Sequence, residues 1–85
     1  MNSRQAALEL VTVAKLMMAH ELPRILAVLK HSRIKVDGAR EDESGAWLRF
    51  GDEDEAKAAV KVLRPEGFDA RVHTFSRNTV RVEYE

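Results

Sequence analysis

The chain has no cysteine, and its 85 residues include only two prolines and four glycines. Without cysteine, neither a disulfide nor a thiolate metal site can staple the fold. A domain of this length hides only about 60 to 65% of its unfolded surface, so self-association is the remaining common source of extra stability. The glycines are dispersed at 38, 45, 51 and 67, which excludes a glycine-rich phosphate cradle.

Charge of one sign is missing as well: 14 basic side chains balance 14 acidic ones. No global field draws the chain onto nucleic acid or anionic lipid, so any such attraction has to be local. Long hydrophobic runs are absent. The longest apolar stretch, residues 6–19, is interrupted by Glu9, Thr12 and Lys15, and a bilayer span needs about 20 residues. Nor does that stretch lead to a small-residue cleavage site, so the sequence predicts a cytoplasmic protein with no membrane contact.

Catalytic signatures are equally scarce. His20, His31 and His73 have no metal-ligand spacing. Ser3, Ser32, Ser44 and Ser76 lie in expected caps, turns or loops without a glycine-flanked nucleophile motif. Glu41, Asp42 and Glu43 offer adjacent carboxylates, but three neighbouring acids on a loop read as solvated. The expectation is a non-enzymatic protein with no catalytic residues, no metal and no cofactor.

What is present is a clear alternation of periods. Asn2 or Ser3 can cap a helix from about Arg4 to Glu21. Pro23 then either kinks it or starts a second helix reaching about His31. From Arg33 the period becomes two: Ile34 and Val36, then Ala46, Leu48 and Phe50, predict a hairpin with a long loop from Gly38 to Gly45. Asp52 followed by Glu55 forms an N-terminal capping pattern, and Ala56, Ala59, Val60 and Leu63 continue at helical spacing until Pro65 and Gly67. Ala70, Val72 and Thr74, then Val80, Val82 and Tyr84, give two further strands around a tight turn at Arg77 and Asn78.

The resulting expectation is one domain spanning residues 1–85, with a helical segment over about 3–31 and a ββαββ unit over about 33–85. Its class is α+β, in the order α-β-β-α-β-β, with a four-stranded antiparallel sheet and helices on one face. A circularly permuted ferredoxin-like sandwich satisfies that order.

Two surfaces follow as candidates. Of the 14 residues from Ala6 to Ala19, 11 are apolar, more than a helix needs to cover one sheet. That excess predicts a homodimer through Leu8, Val11, Met17, Met18, Leu22 and Ile25. The second surface is the sheet's open face, where alternation sends Lys35, Trp47, Arg49, Arg71, His73, Phe75 and Arg81. The leading expectation is a homodimeric interaction or regulatory module, an accessory protein that docks on another protein. The alternative is a single-stranded nucleic-acid binder that stacks bases on Trp47 and Phe75 and holds phosphates with arginines.

Overall fold

A computed structural model describes residues 21–84. The N-terminal helix expected before Glu21 therefore lies outside the described residues. From Glu21 the chain is helical through His31 (α1, Glu21–His31), with Pro23 in the first described turn. Ile25 and Leu29, one turn apart, are the buried face of α1. The helix ends in a Schellman-type reversal. Arg33 takes the left-handed conformation at φ 60°, its N–H donates to Lys30 O at 3.0 Å, and the Ile34 N–H donates to Leu29 O at 2.9 Å. That reversal aims Ile34 and Val36 back at the core, where both are partly buried.

Residues 34–36 therefore belong to no strand, and here the structure corrects the expected first strand. The strand is β1, Gly38–Asp42, inside the segment expected to be a loop, and it pairs antiparallel with β2, Gly45–Arg49. Only Glu43 and Ser44 separate them. The Asp42 carboxylate fastens this turn by accepting the N–H groups of Ser44 and Gly45, each at 2.9 Å. The sequence of β1, GARED, has little strand propensity. As an edge strand it needs backbone hydrogen bonds to one neighbour and no buried side chains.

After β2 comes α2, Glu53–Leu63, capped by the Asp52 side chain accepting from the Glu55 N–H at 2.8 Å. Its buried residues are Ala56, Ala59, Val60 and Leu63. A 3₁₀ turn, Arg64–Glu66, stops at Gly67, whose φ of 93° only glycine adopts without strain. Strands β3, Asp69–Val72, and β4, Thr79–Glu83, complete the sheet. They end short of the expected Thr74 and Tyr84. A turn closed by the Thr79 N–H donating to Ser76 O at 2.9 Å has Arg77 and Asn78 at its centre.

The architecture is thus an α+β domain with the order α-β-β-α-β-β and an antiparallel four-stranded sheet in the order β1-β2-β4-β3. Moving the first strand of a ferredoxin-like sandwich to its C-terminus yields this strand order and these directions, so the topology is compatible with the permuted form. Ala46, Leu48, Val80, Val82 and Ala70 face the helices and join Ile25, Leu29, Phe50, Leu63 and Phe68 in one buried cluster. Ile25, expected at a dimer interface, is fully buried within that cluster, and Leu22 packs partly buried against it. The other four expected dimer residues, Leu8, Val11, Met17 and Met18, lie outside the described residues. Among the described residues, no helix is long and apolar enough to cross a membrane.

Candidate functional site: the open face of the sheet

Strand register sorts the outward side chains into three rows across the sheet. The first row is Asp42, Gly45, Glu83 and Asp69; the second is Arg40, Trp47, Arg81 and Arg71; the third begins Gly38, Arg49, Thr79. His73 extends the third row, because its N–H donates to Thr79 O at 2.8 Å just beyond the last β3 pair. Successive rows are about 7 Å apart, two residues along a strand. The face is therefore graded, from carboxylates at one end, through arginines and Trp47, to Arg49, His73 and finally Phe75.

Arg81 is the centre of this face, and the protein itself engages four of its five N–H groups. Its Nη1 and Nη2 donate to Asp42 Oδ2 and Oδ1 at 2.9 and 3.1 Å, Nη2 also reaches Ser44 Oγ at 2.6 Å, and Nε reaches Glu83 Oε1 at 3.1 Å. Its guanidinium carbon lies 4.7 Å from the Trp47 ring centroid, over the ring. Only 12% of the side chain remains exposed. The forked geometry explains the electrostatics. Hydrogen bonds from Arg81, then from the Ser44 N–H, hold the Asp42 carboxyl far below its usual range. In return Asp42 keeps Arg81 protonated more firmly still.

An aromatic chain runs from Trp47 toward the loop. The Trp47 and His73 rings meet edge-on with centroids 5.2 Å apart, and His73 and Phe75 do so at 6.0 Å. The Phe75 N–H also donates to His73 Nδ1 at 3.3 Å. Phe75 is 93% exposed, the single large apolar side chain so exposed among the described residues. Its loop is held in place just past β2, where Asn78 Nδ2 donates to Phe50 O at 3.1 Å and the Phe50 N–H donates to Asn78 O at 2.8 Å.

Of the sequence-predicted site residues, the structure gathers Trp47, Arg49, Arg71, His73, Phe75 and Arg81 on or beside this one face. Lys35 is separated from them. It sits in the unpaired segment after α1, on a shallow groove with Leu26, Lys30, Arg33, Ile34 and Val36. Arg40 and Asp42 were missed, since both fell in the expected loop. The Asp42–Glu43–Ser44–Gly45 stretch carries the signal that would have found them, an aspartate opening a tight turn with glycine three residues later.

The other cations are less committed than Arg81. Arg71 makes one long contact, Nε to Asp69 Oδ1 at 3.4 Å, and both partners are largely in water. Arg40 and Arg49 make no ion pair among the described residues. Arg49 folds toward Gly38, where its Nη2 would lie 3.2 Å from a side-chain carbon.

On the helix-facing side, the Tyr84 hydroxyl donates a hydrogen bond to the Glu41 carboxylate. Burial first, then Glu41, pushes the Tyr84 phenol well above its ordinary value. Each strongly shifted group is thus accounted for by structure, through hydrogen bonds at Asp42 and Arg81 and through burial first at Tyr84. Among the described residues, no set of three His, Asp or Glu side chains is close enough to hold a metal ion. Compared with protein-family models, curated proteins and solved structures, the chain matches none.

Proposed function

We propose that this domain is a non-catalytic module that binds single-stranded nucleic acid on the open face of its sheet. The observation that carries the reading is a combination spread across that face: the Trp47–His73–Phe75 aromatic chain reaches from β2 past the β3 edge, and Arg40 and Arg49, which have no carboxylate partner among the described residues, lie on the β1–β2 side of Trp47. Bases stack on exposed rings regardless of sequence, and arginines track the phosphates between them. A neutral chain can do this because the charges are sorted into rows, so the local potential differs from the zero net charge.

Titrating the protein at low salt with mixed-sequence single-stranded RNA and DNA of roughly eight nucleotides tests the reading through its single tryptophan. Quenching of Trp47 emission, with affinity falling as salt rises, is the expected result. Unchanged emission and no binding by either polymer would overturn it.

A homodimer is the second reading, favoured by the 11 apolar residues among the 14 from Ala6 to Ala19. Light scattering at about 100 μM should then report twice the monomer mass, and a monomer at that concentration would sink the dimer.

A further inference from the structure

We infer that the nucleic-acid track is short and one-ended: bases stack on Phe75 and His73, Arg49 and Arg40 hold phosphates, and the carboxylate row of Asp42, Glu83 and Asp69 ends the track. The inference rests on the binding reading above and gives that site its limits. Three features of the face set those limits.

The first is that Trp47 is already stacked. The Arg81 guanidinium lies over its ring at 4.7 Å, and the His73 ring meets it in a T-shaped pair with centroids 5.2 Å apart. A base arriving at Trp47 has to compete with a cation held by Asp42, Ser44 and Glu83. Phe75 has no such competitor, with 93% of its surface in water and contact to His73 alone among the aromatic rings. Trp47 is thus the back wall of the stacking site, and Phe75, with His73 beside it, is the platform.

The second is that Arg81 has little left to offer a phosphate, with four of its five N–H groups bonded and 12% of its side chain exposed. Its hydrogen bonds to Asp42, Ser44 and Glu83 employ Nε, Nη1 and Nη2. It is a positioning residue, which fixes Trp47 and through it the ring against which His73 rests. The cations able to release counterions are those without a partner, Arg49 and Arg40, with Arg71 a weaker third because of Asp69.

The third is the carboxylate row itself. Asp42, Glu83 and Asp69 line up across β1, β4 and β3 one row beyond Arg81. Asp42 and Glu83 are about half exposed despite their contact with Arg81. A polyanion extended past the arginine row would meet like charge within a Debye length, about 10 Å at moderate salt. The strand is therefore accepted at the Phe75 end and turned away at the Asp69 end.

The test is a length series of oligothymidylates from roughly two to twelve nucleotides, followed by Trp47 emission, with a glutamate-rich peptide of equal charge as control. Affinity should stop rising at about four nucleotides, beyond statistical gains. Phe75→Ala should weaken binding between about fivefold and a hundredfold, with Phe75→Trp retaining it. Arg49→Gln should lower the salt slope by about 0.7, the value for one single-strand phosphate. Phe75 and Arg49 are exposed, so both variants should fold, and far-ultraviolet circular dichroism checks this directly.

If oligonucleotides bind but affinity climbs steadily to twelve nucleotides, or Phe75→Ala is silent, the one-ended track is wrong while the binding reading stands. Equal affinity for the acidic peptide would also overturn the track, because charge without stacking would suffice. No binding of any oligonucleotide defeats the binding reading and the track together.

Discussion

Replacing Gly45 by alanine should damage both the sheet and the site, and the size of the effect can be worked out from the backbone. A side-chain carbon at Gly45 would lie 2.1 Å from Val82 O, more than an ångström short of the 3.4 Å at which ordinary contact begins. The atom it meets belongs to the main chain of the neighbouring central strand and cannot swing aside. The same carbon would come within 3.0 Å of Arg81 Nη2. Relief requires β2 and β4 to part at the Gly45–Glu83 pair. Overpacking of this kind costs about 1 to 3 kcal/mol, and a lost ladder hydrogen bond adds about 1 kcal/mol, giving about 2 to 4 kcal/mol in all. A chain of 85 residues is expected to be stable by about 4 to 13 kcal/mol, so the variant should lose a large part of its margin. Urea unfolding followed by Trp47 emission reads the loss as a lower midpoint at unchanged slope. Gly38→Ala is the internal control. Its new carbon meets only the flexible tip of Arg49 at 3.2 Å, so the change should stay within about 0.5 kcal/mol. If Gly45→Ala proved as mild as Gly38→Ala, the close approach of β2 to β4 at this point would be refuted.

Two further perturbations probe the fold's local chemistry. Arg33→Gly should stabilise the domain by up to about 1 kcal/mol, because Arg33 holds a left-handed φ of 60° at the end of α1 that glycine adopts without penalty; a lower thermal midpoint would contradict that reasoning. Tyr84 is the single tyrosine, so phenolate absorbance reports on it alone. In the folded protein it should titrate above its ordinary 10.0, and Glu41→Gln should lower the midpoint only partway, since burial is the larger cause. The sign for stability follows from the raised value. The contribution is fully present below the unfolded phenol's titration near pH 10 and is lost as pH rises toward the higher folded value. A folded-state midpoint at 10.0 would show that Tyr84 is neither buried nor bonded to Glu41.

Most of the element order could be read directly from the residues, because each signal was local. The Asp52 cap, the helical spacing of Ala56, Ala59, Val60 and Leu63, and the alternation in β2 and β4 depend only on near neighbours in sequence. The placement of Trp47, Arg49, Arg71 and Arg81 on one face came from the same alternation. The first strand was misplaced for a physical reason. Ile34 and Val36 alternate because a helix reversal returns them to the core, whereas β1 is an edge strand of charged residues whose pairing comes from its backbone.

What the sequence by itself determined is the class, the order of elements and the outward residues of β2, β3 and β4, but not those of β1. The tertiary structure decided which of those residues remain available. Arg81 and Asp42 are 39 positions apart, and no local pattern announces that strand pairing will bring them together over Trp47. Whether a charge is spent or free depends on its partner across strands, and that partner is chosen by register. The same pairing left Phe75 exposed and buried Ile25 in the core, because burial is settled by which faces the folded layers close over.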